Sequence, residues 1–286
     1  MKLAATALAL IVAANTFAVT RARYLMGTVC EVSAADGRQI EAAFAEAARV
    51  EGMLSTWRND SELAQYNASR SHGSAELVAL LDVVDEWRVK TNGAFDARIR
   101  PLIDGWKTRE EGALPSAAVI AQALAHKDTA PIEEGAFGKG YALDRMVAKI
   151  DGDAILNFGG QLLVRGTYDV TIADPEHRDM PLYRLTLKDA SLSTSSGSEK
   201  TFVVDGHVFT HIFDPRTGEA LPPRGSVSVV ACSALLADIQ STALYVMGVD
   251  EGLRWADANG VAALFITRDG LAHPSRAFPK FTPVKD

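Results

Sequence analysis

Apolar residues in the first half of the chain recur mainly at helical spacing. The segment RYLMGTVCEVSA alternates like a strand, and GRQIEAAFAEAARVEGMLSTW then has the apolar periodicity of a helix. Two further amphipathic helices are predicted, one in SAELVALLDVVDEWRVKTNGAFD that stops at Asn92 and Gly93, and one in GYALDRMVAKIDG that stops at Gly152. The pattern therefore predicts one strand followed by a predominantly helical half.

From Asp153 onward, short β-type runs replace the helical pattern. In VVDGHV, Asp205 and Gly206 predict a tight hairpin, because this pair readily supplies positive φ angles. Helical spacing returns in LLADIQSTALYVMG and DEGLRWADANG, and VAALFIT is predicted as the last strand. Because helices and strands come in blocks instead of strict alternation, we predict an α+β fold with a largely antiparallel sheet. The β-type runs before the last helical pattern are AILNFGG, QLLVRGTYDVTIA, LYRLTLKDASLSTS, TFVVDGHVFTHIFD and SVSVVAC.

The composition restricts the classes of function. With 286 residues, of which 48% are hydrophobic, the chain can bury a sizeable core as one large domain or two closely packed lobes. The formal net charge of −7 disfavours nucleic-acid binding, which depends on a basic surface that neutralises phosphates. A small anionic ligand is still compatible with this charge if local groups receive it.

The first eighteen residues have the layout of a secretory signal. MKLAATALALIVAANTFA has Lys2 near its start, a short apolar run and a small-residue end in which Thr16 and Ala18 suit the cleavage positions. A core helix is the alternative, but its apolar residues would form one stripe instead of covering every face. We therefore predict a signal over residues 1–18 and a single domain over residues 19–286, in an exported, soluble, periplasmic protein.

The chain has two cysteines, Cys30 and Cys232, and both lie in apolar strand-like segments. Pairing cannot be read from sequence alone, and two buried thiols are favoured over a disulfide. Neither cysteine lies near the end of the N-terminal apolar run, so no lipid attachment is expected there.

Two glycine-rich stretches are candidates for ligand binding. GAFGKGYALD packs three glycines around Lys139 just before a predicted helix, where backbone N–H groups and the helix N-terminus favour a phosphate. An ordinary loop-to-helix turn explains this stretch equally well, and the spacing of a Walker loop is absent. In LNFGGQLLVRG, Gly159 and Gly160 allow either a β-bulge or the close passage of a ligand.

Two polar stretches are candidates for catalytic chemistry. In ADIQSTALYVMG, Asp238 and Thr242 are four residues apart, which places both oxygens on one helix face, as a hard cation such as Mg²⁺ requires. Helix capping by Asp238 and a back-bond from Thr242 are the alternative. In FTHIFDPRTGEAL, His211 is either packed beside apolar neighbours or held at a loop mouth by the turn that follows Asp214.

The order of these stretches along the chain resembles the FAD:protein FMN transferase family, known as ApbE. The resemblance runs from about Tyr24 to the C-terminus. Seven motifs carry it: MGT at residues 26–28, STWRNDSELAQYN at residues 55–67, GAFDARIRPLIDGW at residues 93–106, FGKGYALD, LNFGG, HIFDPRTG and ADIQSTA.

The resemblance implies an exported Mg²⁺ enzyme that cleaves the pyrophosphate of FAD. Such an enzyme joins FMN through a phosphoester to a Thr or Ser of a partner protein and releases AMP. The implied fold is ApbE-like, related to the T-fold, with FAD in a central cleft. The implied cation ligands are Asp238, Thr242 and the backbone carbonyl of Ala136, and His211 is the implied general base. The implied FAD site consists of Met26, Trp57, Ala94, Phe95, Asp96, Glu133, Lys139 and Ile212.

The sequence departs from the family pattern at three places. The usual Asp-Leu before the glycine-rich loop is Glu133-Glu134, the residue after the glycine pair is Gln161, and TSSGSEK at residues 194–200 lacks the usual aromatic. Two other functions remain open: a Mg²⁺-dependent FAD pyrophosphatase that gives free FMN and AMP, and a periplasmic flavin-binding protein without catalysis. The combination of His211, Asp238 and Thr242 argues for an enzyme, because binding alone needs no base. No Ser-Gly-Ala-Thr-like acceptor stretch is present, so modification is expected in trans.

Overall fold

The computed structural model describes residues 18–70, 73–107, 114–198 and 201–284. The predicted signal, residues 1–18, lies outside these ranges apart from Ala18. Among the described residues, no helix has the length and apolarity needed to cross a bilayer.

Seven helices and eleven strands make up the described part of the chain. The helices are α1 Gly37–Leu54, α2 Glu62–Ser69, α3 Ala75–Lys90, α4 Arg100–Lys107, α5 Ala117–Ala125, α6 Gly138–Val147 and α7 Ala234–Asn259. The strands are β1 Val19–Leu25, β2 Thr28–Ala34, β3 Ala154–Phe158, β4 Gln161–Ala173, β5 Pro181–Ser196, β6 Thr201–Val204, β7 His207–Thr210, β8 Ser226–Ala231, β9 Ala262–Ile266, β10 Ala272–Pro274 and β11 Phe281–Pro283.

Nine strands form one sheet in the order β1-β2-β3-β4-β5-β8-β9-β10, with β11 added to β5. All of its strand pairs are antiparallel. Strands β6 and β7 form a separate two-stranded ribbon. The predicted α+β fold with a largely antiparallel sheet is confirmed.

Apolar clusters on the two faces of the sheet give the fold its core. Helices α1 and α6 pack on β2 and β3, α3 adds buried residues to the same apolar cluster, and α7 packs on β8 and β9. The buried residues include Phe44, Leu143 and Tyr245. A separate cluster built from β4 and β5, with Tyr168 and Leu187, covers the other face. The antiparallel sheet thus carries α6 and α7 side by side on one face.

The first predicted strand is two strands in the structure. Met26 and Gly27 have φ angles of 45° and 75°, and these two positive values close a tight hairpin between β1 and β2. The predicted hairpin at Asp205 and Gly206 is confirmed, with φ angles of 49° and 74°.

The two helical patterns near the C-terminus are confirmed, because α7 consists of two helical segments separated by a kink at Gly248, where φ is 76° and ψ is −179°. Two other sequence predictions are corrected by the fold. Strand β9 is not the last, because the short strands β10 and β11 follow it. Both thiols are free, as predicted, but Cys232 is exposed because β8 ends at Ala231 and the chain bends before α7.

Candidate active site

One cavity of about 400 Å³ brings together segments from both halves of the chain. Its wall includes the loop after α3, the glycine-rich loop before α6, the Gly159–Gly160 turn, the ends of β4 and β5, the loop after β7 and one face of α7. Nine of the twelve predicted site residues belong to this wall: Ala94, Asp96, Glu133, Ala136, Lys139, His211, Ile212, Asp238 and Thr242.

The α7 side of the cavity presents oxygen atoms. Asp238 and Thr242 both belong to the wall, as their spacing of four residues on a helix predicts. The N-cap of α7 is Ser233, whose side chain accepts from the Leu236 N–H, so Asp238 does not cap its own helix. The Asp238 carboxylate instead accepts a hydrogen bond from the backbone N–H of Gly140 at 3.1 Å.

Hydroxyl groups of β5 extend this oxygen-rich face. Ser195 Oγ lies 3.0 Å from Ser241 Oγ and 3.5 Å from Thr242 Oγ1. Ser193 Oγ lies 3.2 Å from Ser241 Oγ, and both Ser193 and Ser195 belong to the cavity wall. The strand therefore lines the same face as the carboxylate.

The donor set fits a hard cation. A carboxylate, hydroxyls and the backbone carbonyl of Ala136 are the kinds of oxygen ligand that Mg²⁺ takes together with several waters. Residues 18–70, 73–107, 114–198 and 201–284 contain no cluster of three His, Cys, Asp or Glu side chains arranged for a metal. The oxygen ligands of this face fit a hard cation such as Mg²⁺.

The glycine-rich loop directs a helix N-terminus at the cavity. A 3₁₀ turn over Glu134–Ala136 leads into α6, whose N-cap Phe137 makes no side-chain capping bond. Gly135, Ala136 and Lys139 all belong to the cavity wall. The positive end of the α6 dipole and the Lys139 ammonium therefore favour an anionic group here.

The two glutamates that precede this loop have different roles. The Glu133 carboxylate lines the cavity and accepts from Arg100 Nη1 at 3.1 Å, and burial raises the pKa of Glu133. The Glu134 carboxylate accepts from the backbone N–H and the hydroxyl of Thr56, at 3.3 and 2.8 Å. The Glu134 carboxylate therefore binds the loop after α1 through Thr56.

Asp96 is held by three donors behind the cavity wall. Arg88 Nε lies 3.0 Å and Lys127 Nζ 3.4 Å from its Oδ2, and the Arg98 N–H donates to its Oδ1 at 2.9 Å. The neighbouring Phe95 points into the apolar core and is 1% exposed. The structure thus places Ala94 and Asp96 at the cavity, while Phe95 packs behind it.

The loop after β7 is closed by backbone hydrogen bonds and by one ion pair. Leu221 donates to the Ile212 carbonyl at 2.9 Å, and the buried Asp214 carboxylate accepts from the backbone N–H of Arg216 at 2.8 Å and from its guanidinium. Arg216 also pairs with Glu251 at 2.8 Å. His211 is exposed and lines the cavity, whereas Phe213 two residues later is buried. This arrangement holds His211 at a loop mouth, with Asp214 orienting the loop.

Two other predicted FAD-site residues lie outside the cavity wall. Met26 is at the β1–β2 turn, where its N–H donates to Glu51 Oε1 at 2.8 Å. Trp57 is 91% exposed in the loop after α1. Together with Phe95, these are the predicted site residues that the structure does not bring to the cavity.

Comparison with known proteins assigns the family. The model of the ApbE family matches residues 26–265. The chain belongs to the ApbE family. This confirms the resemblance carried by the seven motifs, and the match includes all twelve predicted site residues.

Relatives of the ApbE family with the name FAD:protein FMN transferase align with most of the chain. The protein from Klebsiella pneumoniae (strain 342) is 27% identical over 268 residues, which are 80% of this chain and 77% of that protein. The protein from Rhodobacter capsulatus is 30% identical over 294 residues, covering 88% of this chain and 56% of that protein.

Solved ApbE structures share the fold. The ApbE protein from Thermotoga maritima has a TM-score of 0.80 and 25% identity, with 90% of this chain and 97% of that chain covered. The apo form of the flavinyl transferase ApbE from Pseudomonas stutzeri has a TM-score of 0.77 and 24% identity, with 91% and 95% covered.

In this ApbE chain, several cavity residues carry no recognisable sequence signal. Asp174, Pro175 and Arg178 reach the cavity from the turn between β4 and β5, far in sequence from the motifs. Ser193 and Ser195 lie on β5 within residues 193–196, which are polar at every position, so the sequence has no period of two that marks one face of the strand. Gln161, a departure from the family pattern, is 4% exposed and donates through Nε2 to the Ala234 carbonyl at 2.7 Å.

Proposed function

We propose that this protein is a Mg²⁺-dependent FAD:protein FMN transferase. In this reaction, FMN is joined through a phosphoester to a Thr or Ser of a partner protein, and AMP is released. The observation that supports it most is the convergence of His211, Lys139 and the Asp238–Thr242 face on one cavity. The name carried by the aligned relatives supports the same reaction.

The cavity offers complementary surfaces to the parts of FAD. The α6 N-terminus and Lys139 would receive the pyrophosphate, because both favour negative charge. Apolar groups of the wall, including Ile99, Ile103 and Ile212, would contact the ring systems. Arg88 and Lys127 offset the charge of Asp96, which reduces its repulsion of an anionic ligand.

Asp238, Thr242 and the Ala136 carbonyl would hold the cation. When bound there, Mg²⁺ supplies positive charge that offsets the negative charge developing on the phosphate oxygens. Ser195 and Ser241 keep the Thr242 hydroxyl within a hydrogen-bonded group, which restrains its orientation.

His211 would accept the proton of the acceptor hydroxyl. The hydroxyl oxygen forms a bond to the phosphorus of the FMN half, and the bond between that phosphorus and the bridging oxygen breaks. AMP leaves with the bridging oxygen and its electron pair, and the proton remains on the imidazole until it passes to solvent. Histidine is the side chain that most often accepts a proton in enzyme catalysis at neutral pH. The exposure of His211 leaves it open to a second protein.

The acceptor and the location follow from the sequence argument. The signal layout of residues 1–18 supports export to the periplasm, where the acceptor would be an exported or membrane-bound protein. The sequence has no Ser-Gly-Ala-Thr-like acceptor stretch, which supports transfer of FMN to another protein.

A direct test incubates residues 19–286 with FAD, Mg²⁺ and a candidate acceptor domain, followed by mass spectrometry of the acceptor. We expect covalent FMN on a Thr or Ser together with AMP, and loss of both in His211→Ala and in Asp238→Ala. The matched controls are His207→Ala, four residues away on β7, and Asp250→Ala, an exposed position on α7. Both controls should retain activity.

Other products would identify a different function. Free FMN and AMP with an unmodified acceptor would indicate a pyrophosphatase, and intact bound FAD would indicate a flavin-binding protein. Activity that survives in both Asp238→Ala and His211→Ala would contradict the assigned roles.

A further inference from the structure

Asp144, the last residue of the FGKGYALD motif, caps a helix other than its own. It lies near the end of α6, and its carboxylate accepts three hydrogen bonds from the start of α7. The donors are the Ser233 hydroxyl at 2.6 Å, the Ala234 N–H at 2.7 Å and the Leu235 N–H at 3.1 Å. A carboxylate at a helix N-terminus satisfies orphan N–H groups and interacts favourably with the helix dipole. Asp144 therefore fixes the first turn of α7.

The capping is reciprocal. Asp238 on α7 accepts from the N–H of Gly140 in the first turn of α6, at 3.1 Å. Each helix thus supplies a carboxylate to the N-terminus of the other. Asp144 lies four residues after Gly140 on α6, and Asp238 lies four residues after Ala234 on α7. The two pairs, Gly140 with Asp238 and Ala234 with Asp144, join the two N-termini across a short distance.

The contact between the helices leaves no room for adjustment. A Cβ built on Gly140 would lie 2.4 Å from the Ala234 carbonyl oxygen and 2.9 Å from Asp238 Cβ. Gln161 Nε2 also donates to the Ala234 carbonyl, from the start of β4. A rotation or a shift of α7 would therefore move Asp238 and Thr242 relative to Ala136, which belongs to the loop before α6.

We propose that Asp144 is a positioning residue that sets the placement of Asp238 and Thr242 for cation binding. This proposal rests on the proposed function, because it concerns the same cation site. Asp144 is absent from the cavity wall, so it acts through α7 and not as a ligand. Removing a group that orients metal ligands typically weakens metal affinity roughly 10- to 100-fold.

A helix cap without this role would have a different effect. Loss of an N-cap lowers the stability of the protein wherever the helix lies. Ser74 caps α3 through the Leu77 N–H at 3.2 Å, and it lies outside the cavity wall. Ser74→Ala is therefore a matched control that loses a cap without disturbing α7.

The test measures Mn²⁺ binding to residues 19–286 by electron paramagnetic resonance of free Mn²⁺. Saturating ADP is present as a stable diphosphate. The thermal unfolding of each variant is measured in parallel to report its stability. We expect one Asp238-dependent site in the unsubstituted protein, and a 10- to 100-fold weaker site in Asp144→Asn, which cannot accept all three hydrogen bonds. Asp144→Glu, which keeps the carboxylate one methylene further out, should bind more tightly than Asp144→Asn. Ser74→Ala should lower the melting temperature and leave Mn²⁺ affinity unchanged.

Two results would overturn the proposal. One is Mn²⁺ affinity in Asp144→Asn within twofold of the unsubstituted protein, and the other is equal weakening in Ser74→Ala. If Asp144→Asn is unfolded, Ser233→Ala, which removes one of the three donors to Asp144, is compared with the unsubstituted protein, and Mn²⁺ affinity within twofold again overturns the role. Absence of any Asp238-dependent Mn²⁺ site in the unsubstituted protein would be a distinct failure, because it removes the cation from the proposed function itself.

Discussion

Lys127 Nζ donates to the Pro215 carbonyl at 3.0 Å, and through its contact with Asp96 it joins two loops of the cavity wall. The same ammonium lies 3.4 Å from the carboxylate of Asp96, whose side chain is fully buried. Pro215 belongs to the loop that begins at His211, and Asp96 belongs to the loop after α3. Lys127 thus restrains the placement of the His211 loop through contacts that lie behind the wall.

Lys127→Met should therefore lower both the unfolding free energy of the protein and its affinity for FAD. The substitution leaves the buried Asp96 with less compensation and leaves the Pro215 carbonyl without this donor, which should cost about 1–3 kcal/mol of unfolding free energy. Urea unfolding measures this loss, and flavin fluorescence should show weaker FAD binding. The exposed Lys280→Met is the control, expected within about 0.5 kcal/mol of the unsubstituted protein. Equal stability of the two variants would show that Lys127 does not join the loops.

Gly140→Ala should destabilise the protein although Ala is the better helix former. The new Cβ would overlap the Ala234 carbonyl, which belongs to helix backbone and cannot turn away, so we expect a loss of about 1–3 kcal/mol. On α1, a Cβ added at Gly52 would meet no atom within 4 Å, and Gly52→Ala should instead stabilise by up to about 1 kcal/mol. Urea midpoints of the two variants should therefore move in opposite directions. A stabilising Gly140→Ala would show that α6 and α7 can separate at little cost.

The two cysteines should react at very different rates. Cys30 is fully buried on β2, and burial raises its pKa to about 12, so little thiolate forms at pH 8. Cys232 is exposed before α7. Brief treatment of the folded protein with iodoacetamide should label Cys232 alone, and both cysteines should be labelled in urea, as peptide mass spectrometry would show. Rapid labelling of Cys30 in the folded protein would contradict the burial.

Local sequence signals predicted the parts of the fold that depend on local chemistry. The Asp205-Gly206 hairpin was predictable because both residues tolerate positive φ. The hairpin at Met26 was not, because a methionine with φ of 45° has no local signature and is held by long-range contacts such as the Glu51 hydrogen bond. Helix α4, which contains Pro101 and Gly105, was also missed, since these residues obscure a short helical pattern.

The site shows the same division between local and long-range information. The spacing of Asp238 and Thr242 was sufficient to place both on one face of a helix. The motif around Phe95 does not indicate which way its side chain points. In the structure, tertiary packing places this side chain in the apolar core. Arg178 reaches the cavity through the pairing of β4 with β5, which only the folded sheet reveals.

Glu133→Gln should stabilise the protein more at pH 7 than at pH 4. Burial raises the folded-state pKa of Glu133 above its ordinary value of 4.5, although Arg100 opposes the shift. A carboxyl with a raised pKa contributes most stability below its unfolded pKa, and this contribution is lost as the pH rises through the folded value. Glutamine cannot ionise and so escapes this loss, while its amide oxygen can still accept from Arg100. Melting temperatures at the two pH values measure the difference, with the exposed Glu219→Gln as control for removing one negative charge. The explanation would be wrong if Glu133→Gln raised the melting temperature more at pH 4 than at pH 7, or if Glu219→Gln raised it equally. Either result would show that burial does not determine the pKa shift of Glu133.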